Sequence, residues 1–215
     1  MCGIVGMVNL QNNINTEKCK TIINKMSNKI NKRGPDEEGF FFSEHALLDH
    51  KRLIVIDPEG GKQPMSIKHK DNTYTIVYNG QLYNTEELTK DLEEAGFIFE
   101  THSDTEVLLK SYIHYGYDVV NKLNGIFSFA IWNEKKQELY FARDHFGIKP
   151  YYYYFKNNTF LFASEVKCFF EYPDFTPIIN KEGISELFGL RACSYCPEMV
   201  FLKIFMNLNL LTLVF

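Results

Sequence analysis

The chain contains 215 residues, of which 45% are hydrophobic and 15% aromatic, and its net charge is −4. This length and apolar content are enough for one large domain with a substantial core. Neither charge sign is clustered into a long block, which argues against a nucleic-acid partner. The five cysteines are an odd number at irregular spacings, so we expect a cytoplasmic location rather than a secreted disulfide framework. No basic region followed by an apolar core opens the sequence, so no signal peptide is predicted.

The first half of the chain mixes strand and helix patterns. An apolar run from Gly3 to Val8 predicts a buried strand with Cys2 at its end. Apolar residues at helical spacing between Lys18 and Lys32 predict an amphipathic helix. Further strands are predicted at 39–42, 52–57 and 74–78, and an Asn-Gly turn at 79–80 closes the last of them. A helix is predicted at 85–95. A second helix is predicted to begin at the capping-box pattern at 103–106 and to end at about 115.

The second half predicts strands at 125–132, 138–142, 151–155 and 160–163, with helices near 166–170 and 181–188. The strands therefore come in two batches, with helices between and after them. This order is typical of an α+β fold in which helices cover sheets, rather than of an alternating parallel domain.

Cys2 is the strongest candidate for a catalytic residue. If Met1 is removed, Cys2 carries both a thiol, with an ordinary pKa of about 8.5, and a free α-amine, with an ordinary pKa of about 7.7–8.0. One residue then supplies a nucleophile and its activating base, which is the arrangement of N-terminal nucleophile enzymes. The alternative is that Cys2 has no catalytic meaning, since small residues are common at position 2.

Four other residues offer groups that amide hydrolysis needs. Asn79 and Gly80 provide a side-chain amide and a backbone N–H for a developing oxyanion, although Asn-Gly is also a common hairpin turn. The guanidinium of Arg52 can grip a carboxylate, and a solvated surface arginine is the alternative. Asp104, at a predicted helix N-terminus, can pair with an ammonium group or simply cap the helix.

These candidates stand in one order with several short motifs. The motifs are the segments 1–6, 33–36, 52–53, 79–84, 103–106, 143–150 and 162–167. Over residues 2–195 the chain resembles the glutaminase domain of glutamine-hydrolysing asparagine synthetases, a class II amidotransferase with an N-terminal nucleophile. Its Arg-Gly-Pro-Asp and Arg-Asp-His-Phe-Gly-Ile-Lys-Pro motifs resemble asparagine synthetases more than sugar-phosphate or purine-pathway amidotransferases.

The resemblance implies a four-layer αββα sandwich and a role for each candidate. Cys2 would attack the side-chain amide of glutamine and release ammonia, leaving a glutamyl thioester that water hydrolyses. Arg52 would hold the substrate α-carboxylate and Asp104 its α-ammonium, while Asn79 and Gly80 would bind the oxyanion.

Gln81 departs from the pattern, because the family usually has glutamate there. If this side chain helps to bind the ammonium, Gln81 keeps a hydrogen-bond acceptor but loses a charge. Weaker binding of glutamine is the expected consequence.

In the family, a second domain uses ATP and Mg to activate aspartate and receives the ammonia. No Ser-Gly-Gly-x-Asp-Ser segment or other phosphate-binding loop occurs in this sequence, so this chain alone is not expected to make asparagine. The glutaminase step itself implies no cofactor. The implied partners are glutamine, a separate synthetase polypeptide and a second copy in a homodimer.

Residues 196–215 form an atypical, mostly apolar tail. The tail is short for a membrane helix and contains Asn207 and Asn209, so no membrane partner is expected. Burial against the domain is one interpretation, and a frameshifted or truncated product is the other. A lone C-x-x-C at 193–196 does not predict a metal site. For the whole chain, the alternatives are an amidotransferase that serves another acceptor and an inactive fragment or pseudogene product.

Overall fold

A computed structural model describes residues 1–178 and two short strands beyond them, and in it eleven strands form two antiparallel sheets. The first sheet contains, in spatial order, β10 (Met206–Asn207), β8 (Tyr152–Lys156), β9 (Thr159–Ala163), β1 (Gly3–Val8), β3 (Ala46–Arg52) and β2 (Glu37–Phe42). The second sheet contains β11 (Leu213–Val214), β7 (Glu138–Arg143), β6 (Gly125–Asn133), β5 (Asn72–Leu82) and β4 (Met65–His69).

Helices cover the outer face of each sheet. They are α1 (Glu17–Asn28), α2 (Thr85–Glu94), α3 (Asp104–Tyr115) and two 3-10 helices, Gly116–Asn121 and Val166–Glu171. One apolar cluster joins α1 and the second 3-10 helix to the first sheet, another joins α2 and α3 to the second sheet, and a third lies between the two sheets. The layers therefore run helix, sheet, sheet, helix, and the predicted four-layer αββα sandwich is confirmed.

The central position of β1 explains why its sequence is apolar throughout. Successive side chains of a strand point to opposite faces, so Ile4 and Val8 enter the layer between the sheets. Val5 and Met7 face α1 instead. Gly6 permits close packing, because a Cβ there would lie 2.1 Å from the ring of Phe162.

The prediction of a strand at 52–57 is wrong, because the strand is β3 and it ends at Arg52. Residues 53–57 form a loop, in which Asp57 adopts a positive φ of 45° that an extended strand does not contain. The strand was missed because three consecutive polar residues, Asp49, His50 and Lys51, interrupt its hydrophobic pattern. All three are nevertheless buried.

Other boundaries also differ. β5 continues to Leu82, because β6 pairs with it as far as Gly125, so Asn79 and Gly80 lie inside a strand and not in a turn. β4 was not predicted. The helix near 166–170 is a 3-10 helix, and the helix predicted at 181–188 lies outside the described residues.

The predicted capping box is only half formed. Ser103 accepts a hydrogen bond from the N–H of Thr105. Glu106 instead accepts from the N–H groups of Glu100 and Thr101. Of the tail at 196–215, the structure describes only the backbone of β10 and β11, which pair with β8 and β7.

Candidate functional site

All six predicted site residues line a single cleft of about 170 Å³. The cleft lies where one end of β1 and β3 meets the edge of β5 and the start of α3. The six predicted residues are Cys2, Arg52, Asn79, Gly80, Gln81 and Asp104, and the other lining residues are Met1, Leu53, Val55, Ile56, Gly61, Gln63, Tyr78, Ser103, Thr105 and Lys149.

Cys2 is half-buried and held from two sides. Its Sγ lies 3.4 Å from the backbone N–H of Leu53 and 3.6 Å from the carbonyl oxygen of the same residue. Its own carbonyl accepts a hydrogen bond of 2.9 Å from Nε of Arg33, whose guanidinium also pairs with Glu165 at 3.2 Å. The Arg-Gly-Pro-Asp motif therefore fixes the backbone that carries the thiol.

Two other thiols in the described residues, Cys19 and Cys168, do not line the cleft. Cys168 is fully buried, and burial raises the pKa of its thiol to about 12. Because the thiolate is the nucleophilic form, Cys168 is chemically inert at neutral pH. Among the described cysteines, Cys2 is the one whose thiol faces the cleft.

The edge of β5 presents backbone groups to the cleft. In a strand, the N–H groups of residues two apart point to the same edge. On this edge the N–H of Tyr78 donates to Oε1 of Gln63 at 2.6 Å, and the N–H of Leu82 donates to Oδ2 of Asp104 at 3.2 Å. Gly80 lies between them, beyond the end of the β4 pairing, so its N–H also points to this edge.

Gly80 must be glycine for steric reasons. A Cβ there would lie 2.5 Å from the carbonyl oxygen of Ile126 and 2.5 Å from the ring of Tyr78. Next to it, Asn79 is buried, and its side-chain Nδ2 has no hydrogen-bond partner among the described residues. A buried amide without a partner is costly, and a ligand oxygen in the cleft would satisfy it.

The position of β5 is fixed by two residues that the sequence analysis did not single out. Gln63 accepts from the N–H of Tyr78, and its Nε2 donates to Oγ1 of Thr105 at 3.2 Å. His50, on β3, donates from Nε2 to the carbonyl of Tyr78 at 3.0 Å. Burial lowers the pKa of His50 to about 3, so it stays neutral and joins the two sheets beside the cleft. Gln63 and His50 could not be found from the sequence, because their partners lie far from them along the chain.

Asp104 lies at the N-terminus of α3 and is almost completely buried. Besides the N–H of Leu82, its Oδ2 accepts from the hydroxyl of Tyr78 at 2.9 Å. Burial raises the pKa of Asp104, and these two hydrogen bonds oppose the rise. The result is an oriented carboxylate at the cleft wall. Gln81, by contrast, is exposed at the rim.

Arg52 lines the cleft, but its guanidinium is already held by groups of this chain. Its Nη1 donates to Glu37 at 2.6 Å and to the carbonyl of Pro58 at 2.8 Å. Its Nη2 donates to the carbonyls of Ile56 at 3.2 Å and Asp57 at 2.6 Å. Arg52 therefore fixes the loop that follows β3, a role that the sequence analysis did not predict.

Comparison with known proteins decides the family. A family model for the glutamine amidotransferase domain matches residues 1–210. The chain belongs to this family. The resemblance inferred from its motifs is thus confirmed.

Within the glutamine amidotransferase family, the chain is similar to asparagine synthetases. It is 48% identical over 190 residues to asparagine synthetase (glutamine-hydrolyzing) 3 of Bacillus subtilis (strain 168). The matched region covers 88% of this chain and 31% of that relative. It is 33% identical over 168 residues to asparagine synthetase B (glutamine-hydrolyzing) of Escherichia coli (strain K12). Here the matched region covers 78% of this chain and 29% of that relative. The chain therefore spans about a third of the length of these relatives.

A solved structure has the same fold. Glutamine phosphoribosylpyrophosphate amidotransferase from B. subtilis superposes with a TM-score of 0.65 at 21% sequence identity, covering 78% of this chain and 43% of that one. Among the described residues, no helix combines the length and the apolar character needed to cross a membrane.

Proposed function

We propose that this glutamine amidotransferase domain hydrolyses glutamine to glutamate and ammonia, with Cys2 as the nucleophile. One observation carries the proposal. The thiol of Cys2 lines the same small cleft as two donors, the Nδ2 of Asn79, which has no acceptor among the described residues, and the N–H of Gly80 on the edge of β5 beyond β4. A nucleophile facing hydrogen-bond donors is the arrangement that acyl transfer from an amide requires.

In the proposed reaction, the α-amine of Cys2, freed by removal of Met1, takes the proton of the thiol. The sulfur then attacks the side-chain carbonyl carbon of glutamine, and Asn79 with Gly80 binds the oxyanion that forms. The α-ammonium of Cys2 returns this proton to the amide nitrogen, so that ammonia leaves, a glutamyl thioester forms and the amine is free again. Water, deprotonated by the same amine, attacks the thioester, releasing glutamate and restoring the thiol. No cofactor takes part in these steps.

The cleft also suits the other end of the substrate. Asp104 would pair with the α-ammonium of glutamine, and Gln81 at the rim would add an uncharged acceptor. Arg52 would attract the α-carboxylate. Because Arg52 already binds Glu37 and three carbonyls, we assign it a smaller direct share in substrate binding than its guanidinium would otherwise have.

The ammonia would serve asparagine synthesis. The names of the B. subtilis and E. coli relatives describe glutamine-hydrolysing asparagine synthetases, and those proteins are about three times longer than the matched region. We propose that a synthetase polypeptide, with ATP and Mg, supplies the aspartate that accepts the ammonia. Both reactions would take place in the cytoplasm, and this chain would form a homodimer.

Replacing the nucleophile tests the hydrolysis. Cys2→Ala should abolish ammonia release from glutamine, while Cys19→Ala and Cys168→Ala should retain activity because neither thiol lines the cleft. A glutamine-analogue electrophile should label Cys2 alone, and the intact mass of the active protein should lack Met1. Hydrolysis by the Cys2→Ala protein, or full activity with Met1 retained, would contradict the mechanism.

A further inference from the structure

Gln63 lies where β2, β5 and α3 come together at the cleft. Its side-chain Oε1 accepts a hydrogen bond of 2.6 Å from the N–H of Tyr78 on β5. Its Nε2 donates to Oγ1 of Thr105, in the first turn of α3, at 3.2 Å. Its backbone packs against β2, since a Cβ at Gly39 would lie 2.1 Å from the carbonyl oxygen of Gln63. Gln63 therefore contacts both sheets and α3 while it lines the cleft.

The hydrogen bond to Tyr78 extends the pairing of β5 by one step beyond β4. The strand β4 starts at Met65, opposite Ile76. The next N–H on that edge of β5 belongs to Tyr78, two residues further along. The side chain of Gln63, rather than a strand, supplies the acceptor for this N–H. The following N–H on the same edge is that of Gly80, the proposed oxyanion donor, so Gln63 is the last fixed point before it.

Gly80 lies between two connections from β5 to the start of α3. On one side, Gln63 links β5 to Thr105. On the other side, the N–H of Leu82 donates to Asp104 at 3.2 Å. Because residues 104 and 105 are consecutive, the two connections fix how far the N–H of Gly80 lies from the carboxylate proposed for the substrate ammonium. Displacing a reacting group by about 1 Å can cost about 10²-fold in rate.

We infer that Gln63 is a positioning residue, which acts through β5 to hold the N–H of Gly80 where the oxyanion of the substrate forms. This inference rests on the proposed function. The competing interpretation is that Gln63, because it lines the cleft, binds the substrate directly. The two roles differ kinetically. Loss of a contact made equally in the ground state and the transition state raises KM, whereas misplacing an oxyanion donor lowers kcat.

The test removes the connection at either end. Gln63→Met keeps the length of the side chain but loses both hydrogen bonds, and Thr105→Val loses only the one to α3. We expect kcat for glutamine hydrolysis to fall about tenfold or more in the first variant and about threefold or more in the second, with KM within about threefold. Thr105→Ser, which keeps the hydroxyl, should restore most of kcat. Gln11→Met, at an exposed glutamine outside the cleft, is the matched control.

A second readout separates positioning from a general collapse of the site. Alkylation of Cys2 by iodoacetamide, followed by peptide mass spectrometry, depends on the thiol and its access but not on an oxyanion donor. Its rate should stay within about twofold of the natural protein in both variants, because the thiol itself is unchanged. Equal losses of alkylation rate and kcat would overturn the inference, as would an unchanged kcat or a raised KM at constant kcat.

The natural protein provides the reference for the proposed function. If it releases ammonia from glutamine and the variants retain its kcat, the inference about Gln63 fails alone. If the natural protein releases none, the proposed function fails and this inference fails with it. Should Gln63→Met not fold, as judged by a thermal melt, Thr105→Val and its serine counterpart decide the question.

Discussion

Two buried carboxylates, Asp104 in the cleft and Asp49 beneath α1, both have a raised pKa but differ in their surroundings. Burial raises the pKa of both Asp104 and Asp49, to about 7 in the case of Asp49. Asp104 lines a cleft and is oriented by the hydroxyl of Tyr78. Asp49 is fully buried on the opposite face of the first sheet, where Ser27 of α1 donates to it.

The surroundings, rather than the pKa, distinguish a binding group from a structural one. Beside Asp49, Lys51 pairs with Glu38, and the hydroxyl of Ser27 on α1 donates to Glu38 as well as to Asp49. Asp49 has no exposed surface, whereas Asp104 lines the cleft. A perturbed carboxylate therefore becomes a site candidate only together with access and convergent polar groups.

The largest expected effect comes from Asp104→Asn. Asparagine keeps an oxygen that accepts from Tyr78 and Leu82, so the fold should be preserved, but it removes the charge that pairs with the substrate ammonium. We expect kcat/KM for glutamine to fall by about 10²-fold or more, as when one partner of a buried charge pair is lost. Steady-state kinetics beside a thermal melt check this, and a collapsed melting temperature with normal kinetics would make Asp104 structural.

The second effect concerns Asp49→Asn and should appear in stability rather than activity. Because the folded-state pKa is raised from 3.8 to about 7, the folded protein keeps a proton that the unfolded chain releases. The contribution of Asp49 to stability is therefore greatest below pH 4 and is lost as pH rises to about 7, at a cost of at most roughly 4 kcal/mol. The asparagine variant lacks this loss, so its stability relative to the natural protein should increase across that window.

Urea unfolding of both proteins between pH 4 and pH 8 provides the measurement, and the difference between them isolates Asp49 from other titrating groups. A difference that does not vary with pH would mean that Asp49 is ionised in the folded state throughout. Glutaminase kinetics are the second readout. A loss of activity comparable to that of Asp104→Asn would remove the distinction between the two carboxylates.

Local patterns in the sequence predict an α+β fold, whereas the four-layer sandwich and the six cleft residues follow from the resemblance of the ordered motifs to a known family. The apolar run at Gly3–Val8 and the motif order are visible along the chain. Arg52 shows where this approach stops. Its partners Glu37 and the loop carbonyls come together only when β2 and β3 pair, so a guanidinium predicted to be free for substrate is engaged with the protein.

The same reasoning explains the misplaced strand. Asp49, His50 and Lys51 are polar and consecutive, which predicts an exposed segment, but each finds a partner far along the chain, on α1, on β5 of the other sheet and on the neighbouring strand β2. Ser27 serves Asp49, the carbonyl of Tyr78 serves His50, and Glu38 serves Lys51. Such long-range compensation cannot be read from a window of neighbouring residues.

Arg52→Lys should affect both properties that the two carboxylates separate. Lysine keeps the charge but cannot span Glu37 and three carbonyls at once. We expect the free energy of unfolding to fall by about 1–3 kcal/mol and KM for glutamine to rise as the loop after β3 loosens. Glu37→Gln is the control, because it weakens the ion pair without changing the cation. If the lysine variant lost affinity with no change in stability, Arg52 would act on the substrate alone.

The smallest expected effect is that of Tyr78→Phe, which removes one hydroxyl and leaves the backbone contacts of Tyr78 with Gln63 and His50 in place. The hydroxyl donates to Asp104 and opposes the rise of its pKa, so its loss should raise that pKa further. Binding of the substrate ammonium needs ionised Asp104, and the acid limb of kcat/KM against pH should therefore move to higher pH. At neutral pH the loss should be about tenfold or less, the size of one hydrogen bond. An acid limb that stays in place, with a lower plateau, would mean that Tyr78 orients Asp104 without tuning its protonation.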